Sequence, residues 1–148
     1  MDRKAAVEQL KQTWAILNSD LDAAVEYGRI DNSPYAQRAL VRAFFAAVEG
    51  LSYQMRQVTL ASLAGTEFVT EQEVQLLREV RHSLDDKGRP KEAPSFLPFP
   101  DSLLFSLSIY AKNHGADFEV DKSQRGWQAL RQTTQVRNNV THPRRRNH

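Results

Sequence analysis

Apolar residues recur at alternating spacings of three and four near the start of the chain: Val7, Leu10, Trp14, Leu17, Leu21 and Ala24. That period predicts a helix over residues 3–27, with a heptad-like stripe that needs a helical neighbour. Gly28 is the expected C-cap. Asp31-Asn32-Ser33-Pro34 then opens a second helix, because Ser33 can cap and Pro34 suits the first helical position. Its pattern runs to residue 63. Phe44, Val48, Leu51, Met55 and Val58 form a stripe of large apolar side chains, and Ala39, Ala43, Ala46 and Gly50 a second stripe of small residues. The small stripe lets another backbone approach closely and reads first as packing. Two contact stripes give this helix room for a core on one side and a partner on the other.

Gly65 is expected to end that helix. Thr70 and Glu73 make a capping box that opens a third helix reaching about residue 82, with Val74, Leu77 and Val80 as its apolar positions. The stretch 84–100 is rich in proline and holds Gly88, Pro90, Pro94, Pro98 and Pro100, so it reads as a loop. Phe96, Leu97 and Phe99 are expected to pin its second half to the body. A fourth helix covers 101–112, with Leu103, Leu104, Leu107 and Tyr110 apolar, and His114-Gly115 closes it. Phe118 and Val120 fit one short extended segment with no evident mate. The fifth helix starts near Ser123 and carries Trp127, Leu130 and Val136. It must stop near His142, since Pro143 disfavours helical geometry in the residue before it. There is no internal repeat, no Gly-rich phosphate loop and no series of strands. The prediction is an all-α chain, a four- or five-helix bundle, forming a single domain over 1–143 and followed by a basic tail over 144–148.

Composition narrows the chemistry. The 148 residues include no cysteine, which removes disulfides, thiolate metal sites and cysteine nucleophiles. The opening MDRKAAVEQL is charged and lacks an apolar h-region, so no signal peptide is expected. No apolar run reaches membrane-spanning length. A cytoplasmic protein away from membranes is the expectation, and the sequon Asn139-Val140-Thr141 then reads as chance. The net charge of +2 conceals an asymmetry: from Lys122 to His148 there are seven Lys/Arg and no Asp or Glu. The rest of the chain is therefore acidic on balance. One end of the protein is suited to an anionic partner.

Within that end lies the string Arg137-Asn138-Asn139-Val140-Thr141-His142-Pro143. Asn138 and His142 are one helical turn apart and share a face. Arg137 is rotated about 140° from His142, but its long side chain can swing toward the helix end. A helix C-terminus favours protonated imidazole, and neighbouring arginines oppose it. Such opposed influences can bring a histidine to titrate near neutral pH, which suits general acid–base work. Arginine is a fit donor to phosphate oxygens and to charge developing on them. Asparagine can orient a ribose hydroxyl or the imidazole. RNA carries its own nucleophile, the 2′-hydroxyl, so its cleavage needs neither metal nor protein nucleophile. The competing structural reading is that Arg and Asn merely cap and solvate a helix end.

An arginine followed by a polar residue, with a histidine five positions after the arginine, at the end of a last helix that also carries Trp127 and Leu130, resembles the signature of HEPN domains. The long second helix, with Arg38, Arg42, Phe44, Phe45, Ala47, Glu49 and Tyr53, is also similar to the early helices of that family. The resemblance implies an all-α bundle that dimerises, joining two Arg–His motifs in a basic cleft. It implies a metal-independent endoribonuclease without a cofactor, of the kind found in toxin–antitoxin and anti-phage systems, with an antitoxin or regulatory protein as a further partner. Arg137 would stabilise the scissile phosphate, His142 would act as acid or base, and Asn138 would position them. Arg131, Arg144, Arg145 and Arg146 would hold the RNA backbone. The proline-rich stretch departs from simpler members of the family.

Two further readings come from the residues themselves. One is a non-catalytic helical module that binds a protein, a nucleotide or RNA without cutting, motivated by the small-residue stripe and the aromatics near the prolines. The other is DNA binding through the basic tail, which the absence of helix-turn-helix spacing disfavours.

Overall fold

The computed structural model describes residues 1–63 and 68–141. Gly65, His142, Pro143 and the tail arginines Arg144, Arg145 and Arg146 lie outside the described residues. Among those described, the chain forms five helices and one hairpin: α1 (Arg3–Ile30), α2 (Pro34–Ala61), α3 (Glu71–Arg78), β1 (Val80–Leu84), β2 (Pro90–Pro94), α4 (Asp101–Asn113) and α5 (Arg125–Thr141). The protein is thus mostly helical, as the periodicity predicts. No described helix is long and apolar enough to cross a membrane.

Contacts divide the chain into two compact groups. The first holds Met1–Leu10 with Ser52–Phe118, and the second Lys11–Leu51 with the residues from Glu119 onward.

In the first group the core is built from Ala6, Met55, Val58, Leu77 and Ile109, all buried. The second half of α2 also buries an arginine. Arg56 donates from Nη1 to Ser106 Oγ at 2.8 Å and from Nη2 to Glu79 Oε1 at 3.1 Å. Ser106 in turn donates to the Ser102 carbonyl at 2.6 Å. Burial pushes the Arg56 guanidinium below its usual pKa, and the Glu79 carboxylate partly offsets that. At the edge of the group, Lys112 Nζ donates to Glu73 Oε1 at 3.1 Å and ties α4 to α3.

The capping box forms as expected. Glu73 N–H donates to Thr70 Oγ1 at 3.2 Å, and Thr70 N–H to Glu73 Oε1 at 3.1 Å. The third helix, however, stops at Arg78, short of residue 82. Glu79 takes the left-handed conformation, φ 53° and ψ 47°, and Val80 begins a strand. The stretch 84–100 is likewise not all loop. β2 occupies Pro90–Pro94 and pairs antiparallel with β1, with Val80 opposite Pro94, His82 opposite Glu92 and Leu84 opposite Pro90. Asp85 builds the turn: its carboxylate accepts the N–H groups of Lys87 and Arg89, and its carbonyl accepts the N–H of Gly88 at 3.1 Å. Gly88 stands at φ +72°, the left-handed position that a three-residue hairpin loop with a bulge requires. Leu97 and Phe99 are half-buried, but Phe96 is exposed and pins nothing. Phe118 and Val120 form no strand.

In the second group, α1 runs through Gly28 to Ile30, so Gly28 is an ordinary helical residue and not a cap. The chain turns at Asp31 instead. Tyr27 donates its hydroxyl to Asp31 Oδ2 at 2.9 Å, and Ser33 N–H donates to Asp31 Oδ1 at 3.0 Å. Ser33 Oγ then accepts from Ala36 N–H at 3.2 Å, the expected cap of α2. Of the small-residue stripe, Gly50 meets α1, where an added Cβ would lie 2.4 Å from Leu17 Cδ1, whereas Ala46 is exposed. The apolar stripe of α1 is only half-buried, and Trp14 is exposed.

Candidate functional site

α5 is launched by Asp121, whose carboxylate accepts Ser123 Oγ at 2.6 Å, Ser123 N–H at 3.0 Å and Gln124 Nε2 at 3.1 Å. The Ser123 hydroxyl, the Ser123 amide and the Gln124 amide hold that carboxyl below the usual range. The helix proper begins at Arg125, just after the expected Ser123. Trp127, Leu130, Thr133, Thr134 and Arg137 are its buried or half-buried positions. They recur at spacings of three and four, so one face meets its neighbours.

Arg137 lies on that face. Its guanidinium carbon sits 4.6 Å above the centre of the Phe45 ring. Its Nη1 donates to Glu49 Oε1 in an ion pair, and its Nη2 reaches toward Asn138 Oδ1 at 3.5 Å, the long limit of a hydrogen bond. Phe45 is buried. The Arg137 side chain retains 24 % exposure and that of Glu49 48 %. A buried ring beneath the planar cation and a carboxylate beside it fix both its height and its rotation. The guanidinium is therefore held in place, while the side chain as a whole keeps about a quarter of its surface open to solvent.

The predicted residues are distributed as follows. Arg137 and Asn138 stand together near the end of α5. Arg131 is exposed, seven positions before Asn138, which places the two on one flank two turns apart. His142, Arg144, Arg145 and Arg146 lie outside the described residues. On α2, Arg38 and Arg42 are exposed and share a flank with Glu49 by their spacing. One turn before Arg137 along α5, Thr133 lines an apolar groove of about 430 Å³ whose other walls are Leu21, Asp22, Val25, Leu40, Val41 and Phe44.

Sequence reasoning missed that Glu49 and Phe45 hold Arg137. The signal was present: they sit four positions apart on one face, and Glu49 is the only acidic residue between Pro34 and Ala61. An acid alone on a helix otherwise charged only by arginines has a basic partner to find. The contact joins positions far apart in sequence, however, and no local pattern says which arginine it is.

Compared with known proteins, the chain matches no family model, no curated protein and no solved structure.

Proposed function

We propose that this protein is a metal-independent endoribonuclease of the HEPN type, working as a homodimer that brings two Arg137–His142 motifs into one basic cleft. The observation that carries the reading is the pre-positioned Arg137. Its guanidinium is stacked on Phe45, paired with Glu49 and next to Asn138, and the side chain keeps 24 % exposure. A donor whose geometry is fixed before substrate arrives loses little rotamer freedom on binding phosphate. In this reading the ribose 2′-oxygen attacks the adjacent phosphorus while the bond to the 5′-oxygen breaks. His142, as base and then acid, takes the hydroxyl proton and supplies one to the leaving oxygen. Arg137 balances charge on the phosphoryl oxygens, and Arg131, Arg144, Arg145 and Arg146 attract the strand. A role in toxin–antitoxin or anti-phage systems, with an antitoxin or regulatory partner, belongs to the same proposal. So does a cytoplasmic location.

The test is cleavage of mixed RNAs in EDTA by the protein and by its His142→Ala and Arg137→Ala variants. Cleavage by the parent alone is expected, with losses of at least about 100-fold in the variants. Equal cleavage by all three, or none by any over a wide range of substrates, would defeat the proposal.

A non-catalytic module is the second reading, and one observation favours it. Glu49 already neutralises Arg137, as a purely structural tie between α2 and α5 would require. On that reading Arg137→Ala and His142→Ala leave the biological activity intact.

A further inference from the structure

The two edges of the β1–β2 hairpin are unlike. Ser95 N–H donates to the Glu79 carbonyl at 2.7 Å, and Asp85 N–H to the Arg89 carbonyl at 2.9 Å. With the register 80 to 94, these bonds set the alternation of the ladder. Glu79, Arg81, Ser83 and Asp85 turn their backbone groups inward to the partner strand. Val80, His82 and Leu84 turn theirs outward, and so do Pro90, Glu92 and Pro94 on the other side. The outer rim of β2 is thus stripped of N–H donors at two of its three outward positions, the usual protection of an exposed edge. The outer rim of β1 has no such protection. Its three outward residues keep both donor and acceptor, and none has another hydrogen-bond partner for its backbone among the described residues.

The side chains along that rim are also unfinished. Leu84 is 66 % exposed, a large apolar residue at the end of a short strand. Val80 is half-buried, and His82 is exposed beside Glu92, with Nε2 3.8 Å from Oε1.

We propose that β1 is a self-pairing edge: two copies of this chain join antiparallel through β1, making one four-stranded sheet centred on His82. The occupant follows from the pattern of the strand itself. A two-fold axis through His82 sets Val80 opposite Leu84 of the second copy, and Leu84 opposite Val80, so both apolar side chains gain an apolar cross-strand neighbour on the same face. On the other face Arg81 falls opposite Ser83 of the second copy, so the two arginines do not meet. Hydropathy is therefore complementary to the strand's own reverse. A register slip by one residue would place Leu84 on the face opposite to Val80 and lose the match. The inference is independent of the motif on α5.

The chain contains no cysteine, so one introduced thiol reports position without ambiguity. In the paired strands the two His82 Cα atoms stand about 5.5 Å apart. That falls inside the range of about 4.4–6.8 Å that a disulfide spans. The full chain carrying His82→Cys should form an intermolecular disulfide under mild oxidation at least about tenfold faster than one carrying Lys91→Cys, on the far strand of the same hairpin. Adding Leu84→Lys to His82→Cys should abolish that advantage. Equal rates at the two positions, or an advantage that survives Leu84→Lys, would overturn the proposal. So would a protein that sediments as a monomer, which would leave the edge to an extended peptide of another protein.

Discussion

Arg56 shows how much one buried charge can organise. Its guanidinium links the second half of α2 to Ser106 on α4 and to Glu79, the residue whose left-handed backbone turns α3 into β1. Truncation to alanine leaves the carboxylate and the hydroxyl without their donor. The expected cost is about 3 kcal/mol, the lower end for a broken buried pair, because the Glu79 side chain keeps 21 % exposure. Arg56→Met should cost less, since it retains the packing of the stem. Urea unfolding of the two variants measures the difference. None of this was legible in the sequence: Arg56 reads there as a charged position on a half-apolar helix. What buries it is the arrival of α4, fifty positions away. Arg137 and Asn138 were legible, because a motif is a matter of neighbours. Their supports Phe45 and Glu49 were not.

At the scale of elements, local rules located the helices well. Ser33, Thr70 with Glu73, and the His114-Gly115 close all act as their residue types predict. Where local rules misled, a stronger competing rule explains it. Gly28 has no reason to end α1, because Asp31 already supplies the acceptors that turn the chain. Four prolines implied a loop, yet Pro90 and Pro94 sit where their missing N–H groups cost the ladder nothing. The signal for the hairpin was Asp85-Asp86-Lys87-Gly88, a turn sequence between the strands. The capping box makes α3 sensitive to acid. Burial pushes the Glu73 carboxyl up, but the Thr70 N–H, the Lys112 ammonium and the Thr70 hydroxyl outweigh it, so the net direction is down. A carboxyl depressed in the folded state adds stability above its unfolded pKa and loses it as pH falls through the folded value. Below the ordinary value of 4.5, α3 should therefore fray before the rest, as amide exchange would register. Thr70→Ala should cost about 1 kcal/mol at neutral pH, with a smaller further loss on acidification than the parent shows.

For the molecule as a whole, the separation of charge is the property that bears on the proposed RNA partner. The run from Lys122 to the end is free of acids, whereas the remainder is acidic on balance. If RNA lies along α5, Arg131→Ala should weaken binding evenly across sequences and reduce the slope of log affinity against log salt by about 1. A titration at several salt concentrations reads that directly. A sequence-dependent loss would instead make Arg131 a reader of bases. The helical class was the most legible feature at this scale, since a period of 3.6 residues is written all along the chain. The proposal for what the helices act on rests on the short string at residues 137–143.

The prolines of β2 carry one more consequence. If two hairpins meet at β1 as proposed, each presents a donor-poor rim outward, which disfavours addition beyond four strands. Exchanging Pro90 and Pro94 for threonine would restore those donors and turn a finite assembly into one able to elongate. Such a variant should become turbid and bind thioflavin at concentrations where the parent stays clear. The same two residues that disguise the strand in the sequence would thus act as terminators of growth.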